Sequence, residues 1–296
     1  MLGEKYRILN YIDILHVVFI INIYNQDMVA GKLSHAADTC MDPKTRRAKI
    51  REMIGQRGEC SVDQLAEALA VSGMTIRRDL QILADEGQVI RTHGGATVGE
   101  RISFEFAFLK RARENQPAKE AIAKAAVGLL RGCTSVMLDG STTTLAIARQ
   151  LRGMSDLTVV TTSLPAAAEL QYNPRIDVLL PGGYVRAASP DLTGSLTEAN
   201  LETLRADVAF LGVDGIDWEG YVYTHPPDNT HMLLKMAASA ERVYVAADST
   251  KLGKTALRRF GFLPDWAGLV TDDRADEELV AGLREAGVHV TIGQIT

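Results

Sequence analysis

The chain has 296 residues, 46% of them hydrophobic, and a formal net charge of -5. That length suits one large domain or a small one joined to a larger one, with ordinary globular cores. Its three cysteines, Cys40, Cys60 and Cys133, are too widely and irregularly spaced for a disulfide framework or a zinc signature, a usage that fits a reducing cytoplasm.

The charge is uneven along the chain. Residues 43–98 hold nine Lys/Arg against seven Asp/Glu, a balance of +2, whereas residues 99–296 hold 20 against 25 and residues 1–42 contribute -2. The basic balance therefore sits in one segment of an acidic chain, although +2 is a modest excess. Dimerisation would double its footprint, and affinity for DNA grows with the number of phosphates neutralised.

Residues 1–41 stand outside the pattern of the rest and are expected to be a non-native or disordered extension. Ile8 to Tyr24 is apolar-rich, but Asn10, Asp13, His16 and Asn22 interrupt it, so it is too polar for a membrane span. It also lacks a clean signal-peptide ending. The expectation is translation from Met41, with a membrane-associated arm or an extra packing helix as the alternatives. No stable membrane association is expected.

Asp42-Pro43 opens a helix, since proline suits the first helical position. Ile50, Met53 and Ile54 form its apolar side, and Lys44, Arg46, Arg47, Lys49 and Arg51 supply positive charge. Cys60–Glu86 then reads as two short helices joined by a tight turn. Ser61 caps the first, and Gln64 completes a capping box. Leu65, Ala66 and Leu69 recur at helical spacing, Ala70 and Val71 form the turn, and Ser72 caps the second helix.

In that second helix Ile76, Leu80 and Leu83 repeat at i, i+4, i+7 and face a small core, which leaves Thr75, Arg77 and Arg78 outward near the helix start. A helix N-terminus favours an anion, and two arginines beside it suit a DNA phosphate or a guanine edge. The plain alternative is a solvated helical pair with incidental charges. Val89–Val98 follows as two short strands around a Gly-Gly turn, a wing with Arg91 and His93 near its tip. Together these elements make a winged helix-turn-helix over residues 42–98.

In its residues this segment resembles the DeoR family of bacterial transcriptional regulators. The matching positions are Ser61-Val62, Leu65-Ala66, Val71-Ser72, Thr75-Ile76-Arg77-Arg78-Asp79-Leu80 and His93-Gly94-Gly95-Ala96. The resemblance implies that Ser72 to Arg78, Met74 included, enter the major groove of a double-stranded operator. Family members usually carry Glu or Pro where Gly73 and Met74 stand, so an unusual base sequence is expected.

Residues 99–116 read as a linker. Phe104, Phe106, Phe108 and Leu109 make it too apolar for a free tether, and it is expected to pack on the second domain or on a partner subunit. From Pro117 onward, helix-like and strand-like runs alternate. Strands are expected at Ser135–Leu138, Leu157–Thr161, Ile176–Leu180, Val208–Leu211, Val243–Ala246, Gly268–Thr271 and Val288–Ile292. The first helix spans Pro117–Leu130, the next ends at Leu151, and others fall near 164–171, 197–204, 229–240 and 276–285. Short apolar strands separated by helices indicate an α/β domain built on a mostly parallel, covered sheet.

Ligands of such sheets gather beyond the C-terminal strand ends. Asp139-Gly140-Ser141-Thr142-Thr143 offers backbone N–H groups and hydroxyls at a helix start, the chemistry of a phosphate cradle, although Ser141 or Thr142 could simply cap that helix. Thr161-Thr162-Ser163 offers further hydroxyls. Asp214 and Asp217, in Gly212–Asp217, suit sugar hydroxyls, and Asp248-Ser249-Thr250-Lys251 adds a cation. Gly182, Gly183 and Gly194 shape the rim. Phosphate-type and hydroxyl-type partners at equivalent strand ends point to a phosphorylated polyol or sugar.

The DeoR resemblance extends over these loops, through Asp139–Thr143, Leu211–Asp217 and Ala247–Lys251. It implies an effector and oligomerisation domain, similar in fold to ribose-5-phosphate isomerase, that senses sugar phosphates in a homodimer or homotetramer. One departure stands out: the family's usual Glu falls at His231, and its Lys and Arg at Leu233 and Leu234, which would remove a charge partner from the pocket. Tyr221, Tyr223 and His225 are also unexpected, and would either reshape the pocket or pack.

The reading is therefore a ligand-responsive repressor of carbohydrate metabolism genes, without cofactor or metal. The rival is a sugar-phosphate isomerase-like enzyme fused to a DNA-binding head, with Asp214 or Asp217 moving protons and Asp139 beside the phosphate loop. A carboxylate in a polar loop is no base until geometry and pKa suit. No HExxH motif, Cys/His cluster or nucleophile elbow accompanies them.

Overall fold

The computed structural model describes residues 41–86, 88–98, 108–186, 189–225 and 230–296. The expectations for residues 1–40, and for Phe104 and Phe106 in the linker, lie outside them. The chain divides into two compact units, the smaller holding the elements between Pro43 and Val98 and the larger those from Gln116 onward.

In the smaller unit, α1 spans Pro43–Arg57 and is capped by Asp42, whose side chain accepts from the backbone N–H groups of Lys44 and Thr45. α2, Val62–Leu69, carries the expected capping box. Ser61 Oγ accepts from Gln64 N at 3.1 Å, and Ser61 N donates to Gln64 Oε1 at 2.9 Å. The turn out of α2 places Ala70 at φ 52°, a left-handed conformation that costs a non-glycine residue about 1–2 kcal/mol. α3, Gly73–Asp85, follows, capped by Ser72. Ile50, Ile54, Leu65, Ile76, Leu80 and Leu83 are fully buried between the three helices, each contributing about 1.5–3 kcal/mol.

The wing differs from the expected hairpin. β2, Val89–Arg91, and β3, Gly95–Val98, pair antiparallel, but β3 also pairs with a strand that periodicity does not reveal, β1, Glu59–Ser61. Gly95 therefore lies inside a strand, and Thr92, His93 and Gly94 make the turn. A Cβ on Gly95 would fall 2.8 Å from Ser61 Cα, so the missing side chain is what admits β1.

The larger unit is built on seven parallel strands: β4 (Ser135–Leu138), β5 (Leu157–Thr161), β6 (Ile176–Leu179), β9 (Ala206–Gly212), β12 (Ala240–Ala246), β14 (Gly268–Asp272) and β15 (Val290–Gly293). Their order is β15-β14-β12-β9-β4-β5-β6. Helices α4 (Gln116–Gly128), α5 (Thr142–Leu151), α6 (Leu164–Leu170), α7 (Ser195–Glu202), α8 (Thr230–Ala238) and α9 (Glu277–Glu285) complete the alternation. The expected seven strands and six helices are all present, with ends shifted by a few residues.

Two small antiparallel features were not legible. One is the hairpin of β7 (Tyr184–Val185) and β8 (Leu192–Thr193). The other is a three-stranded sheet, β10-β11-β13, made of Gly215–Ile216, Tyr221–Thr224 and Arg258–Phe262. The chain winds from β4 to β5 and β6 on one side, then returns to β9 on the other. The switch point thus lies between β4 and β9, where open α/β sheets leave a crevice at their C-terminal ends. Among the described residues, no helix is long and apolar enough to cross a membrane.

Candidate nucleic-acid interface and ligand site

α3 separates its faces as its spacing predicts. Ile76, Leu80 and Leu83 are buried, while Ser72, Arg77 and Arg78 are exposed and Met74 is 72% exposed. Ser72 Oγ accepts from Thr75 N at 3.1 Å and lies 2.9 Å from Thr75 Oγ1, so both hydroxyls brace the helix start. His93 is exposed in the wing turn. Arg91 ends β2 and, instead of extending from the tip, donates from Nη1 to Arg77 O and to Gln81 Oε1, each at 3.3 Å. It ties the wing to α3.

One residue of the family-like run has a role that spacing did not reveal. Asp79 is buried on α3 and receives Arg46 Nε at 2.6 Å and Nη2 at 3.3 Å, with Arg47 Nη1 3.6 Å away. Arg46 is itself buried and also donates to Met41 O at 3.0 Å. Its charge, counted above toward the basic face of α1, is therefore consumed inside the unit and fixes α1 against α3.

In the larger unit the four polar loops follow β12, β9, β4 and β5, which are neighbours in that order. Their ends are level: Ala246 pairs with Gly212, and Leu138 with both Phe210 and Thr161. The sheet thus brings together Asp248 and Lys251, Asp214 and Asp217, Asp139 to Thr143, and Thr162 and Ser163.

These residues do unequal work. Asp139 is buried; Oδ2 accepts from Gly212 N at 3.1 Å, and Oδ1 from Thr144 Oγ1 at 2.7 Å and Ser141 N at 3.2 Å. It ties the loop after β4 to that after β9. Burial pushes its carboxyl up to about 6, against the opposing pull of those hydrogen bonds. Ser141 caps α5, accepting from Thr144 N at 3.2 Å. Gly140, Ser141 and Thr142 remain half-buried at the loop surface, and Thr143 is buried.

Asp214 is one-third exposed, accepts from His225 N at 2.7 Å, and faces Lys251 Nζ at 4.0 Å. Asp217 accepts from Tyr221 N at 2.8 Å and from the Tyr223 hydroxyl at 2.7 Å, so it closes the β10–β11 turn. Tyr221 packs on Phe262, with ring centroids 4.7 Å apart, and carries Arg259 over its ring. Both tyrosines pack. Asp248 is buried and accepts from Thr250 N at 3.1 Å and Asn115 Nδ2 at 3.1 Å.

Gly182 and Gly183 lie beyond the edge strand β6 at φ 76° and 118°, where Gly182 O accepts from Thr197 Oγ1 at 2.6 Å. They seat α7. Leu233 is buried in the main core, and exposed Leu234 lines an open groove with Arg258 and Phe262. The aliphatic side chain at 233 therefore packs into the core beside the sheet. Lys235, one face further round, pairs with Glu202.

Sequence reasoning missed Arg186, Asp191 and Asn115. Asp191 is fully buried and held by Arg186 through Nε–Oδ1 at 2.9 Å and Nη2–Oδ2 at 2.7 Å. A Cβ on Gly140 would collide with that carboxylate. The available signal was a turn-forming Ser189-Pro190-Asp191 shortly after two glycines. Among the described residues no group of three His, Cys, Asp or Glu could hold a metal.

Known proteins place both units. Residues 46–101 match the DeoR-like helix-turn-helix domain, and residues 114–273 the DeoR C terminal sensor domain. The chain is 33% identical over 254 residues to the HTH-type transcriptional regulator GolR of Listeria innocua, covering 86% of this chain and 100% of that protein. It is 31% identical over 255 residues to the HTH-type transcriptional repressor GlcR of Bacillus subtilis, covering 85% and 97%. Among solved structures, ribose 5-phosphate isomerase A of Methanocaldococcus jannaschii aligns at 18% identity and a TM-score of 0.36, over 47% of this chain and 55% of that one. A likeness of that size carries no weight for activity. With both halves matched in order and relatives aligned across nearly their full length, the chain belongs to the DeoR family and is a DNA-binding transcriptional regulator.

Proposed function

We propose that this protein represses carbohydrate metabolism genes in the cytoplasm and is controlled by a phosphorylated sugar or related metabolite. Residues 42–98 bind the operator, residues 99–116 link, and residues 117–296 bind effector and join subunits into a homodimer or homotetramer. Two identical heads would read two half-sites. The observation that carries the DNA reading is the outward pair Arg77 and Arg78 on a helix whose other side is locked by Ile76, Asp79 and Leu80. Ser72, Met74, Thr75 and His93 share the reading surface, with Arg91 setting the angle of the wing.

For the effector, the support is the convergence of four polar loops at neighbouring strand ends beside the switch point. Gly140, Ser141 and Thr142 would receive the phosphate, and Asp214, Asp217 and Lys251 the polyol. Asp139, Thr143, Ser163 and Asp248 hold those loops in place, Thr162 offers a buried hydroxyl, and Gly182 and Gly183 shape the rim. The ligand acts only insofar as it favours one arrangement of the heads over another.

Arg77→Ala and Arg78→Ala test the DNA half. After operator selection from random DNA, each is expected to cost about 1–3 kcal/mol of specific binding. A base-contacting arginine also relaxes discrimination at one position, whereas a phosphate-contacting one weakens all sequences evenly. Wild-type affinity in both variants would remove α3 from the interface.

A further inference from the structure

Asp191 and Arg186 lie on the β7–β8 hairpin rather than on any of the four loops, yet the hairpin is laid against two of them. Asp191 bridges to Ser163, Leu192 N donates to Thr162 O at 2.8 Å, and Leu164 N donates to Pro190 O at 3.0 Å. The Asp191 carboxylate enters the space that Gly140 leaves by having no side chain, next to the loop that opens α5. That side chain is 1% exposed, and a charge so buried needs compensation. Arg186, 16% exposed, supplies it with a two-pronged grip, and the oxygen nearest the vacant Gly140 Cβ position, Oδ2, is one that Arg186 holds.

A helix start with small residues and a guanidinium is where an anion is most favoured, and here the chain's own carboxylate occupies the edge of it. At the end of the neighbouring strand β5, where the hairpin pairs with the Thr162 backbone, the Thr162 hydroxyl is fully buried and has no hydrogen-bond partner among the described residues. Buried polar groups are nearly always paired, so an unpaired one marks a place for a missing acceptor.

We propose that Arg186 is an effector-binding residue, and that Asp191 is an internal stand-in for the effector's anionic group. With no ligand, Asp191 holds the guanidinium beside Gly140. A phosphate arriving at Gly140-Ser141-Thr142 competes for the same donors, because guanidinium binds phosphate through the same paired N–H geometry as carboxylate and phosphate brings more charge. Arg186 then exchanges partners. This rests on the strand ends being the effector site, and it adds the residue that selects for an anionic ligand and the contact that opposes binding without one.

The two halves of the pair make opposite predictions, which a merely structural clamp does not. The full chain is titrated calorimetrically with inorganic phosphate and with glucose 6-phosphate. Arg186→Gln is expected to weaken binding at least about ten-fold, the loss of a charged hydrogen-bonding partner. Asp191→Asn, which keeps the shape and removes the competing charge, is expected to tighten it several-fold. Arg186→Lys keeps the charge without the fork and falls between, and it serves if the glutamine variant does not fold. Weakening by both Arg186→Gln and Asp191→Asn would make the pair a clamp and overturn the exchange. Unchanged affinity in both would remove Arg186 from the site while leaving the strand-end reading intact. Binding of neither probe by the wild type would overturn this proposal and the phosphate reading together.

Discussion

Replacing Asp79 by alanine tests whether the reading helix is held by charge as well as by its apolar side. The change leaves the Arg46 guanidinium, whose side chain is 9% exposed, without the carboxylate 2.6 Å from its Nε. Breaking a buried ion pair by deleting one partner costs about 3–5 kcal/mol, because the surviving charge stays buried without its opposite charge. A head of this size has roughly 0.05–0.15 kcal/mol of stability per residue, so about 3–8 kcal/mol in total. Asp79→Ala is therefore expected to remove most of it. Circular dichroism melts of the full chain should lose the transition of the smaller unit and keep that of the larger, and operator binding should fall with the former. The double replacement Arg46→Met with Asp79→Leu removes both charges and is expected to restore stability, since apolar pairs often equal or exceed buried ion pairs. A single variant within about 1 kcal/mol of wild type, or a double variant as unstable as the single, would refute the argument.

Asp139 gives a pH signature. Its folded value of about 6 lies above the ordinary 3.8, so the folded state holds the proton more tightly. The contribution of this group is fully present below about 3.8 and is lost as pH rises to about 6. Urea denaturation should show Asp139→Asn gaining on the wild type across that window and running parallel above it; a constant difference from pH 4 to 7 would contradict the burial argument. In the wing, Gly95→Ala would press a methyl to 2.8 Å from Ser61 Cα and 2.9 Å from Cys60 C, both backbone atoms that cannot rotate away. The expected loss is about 1–3 kcal/mol of head stability, measured by the same melts, and a change below about 0.5 would show that β1 shifts freely.

Much of the architecture is legible in the residues themselves. The helices of the head announce themselves through Asp42, Ser61 and Ser72, since a capping side chain acts on N–H groups two or three residues away. The apolar sides of α1 and α3 and the seven short strands follow from spacing, and the parallel sheet from their alternation with helices. The four polar loops could be assigned to strand ends on the same grounds. β1 escaped notice because three residues carry no period, and its pairing partner lies some 35 positions on.

What a residue's neighbours in the chain dictate, then, is the type of each element, its caps and its buried side. What they cannot dictate is which groups of equal charge and polarity find partners far along the chain. Arg46 looked like one more cation of α1 until folding set it against Asp79, 33 residues away. Leu233 looked like a missing charge until α8 turned it into the core. Asp139 became a brace, and Asp191 a buried anion beside Gly140, only when β4, β9 and the β7–β8 hairpin converged. Caps and periodicity act over a few residues, whereas burial and ion pairing depend on distances that exist only after the chain has folded.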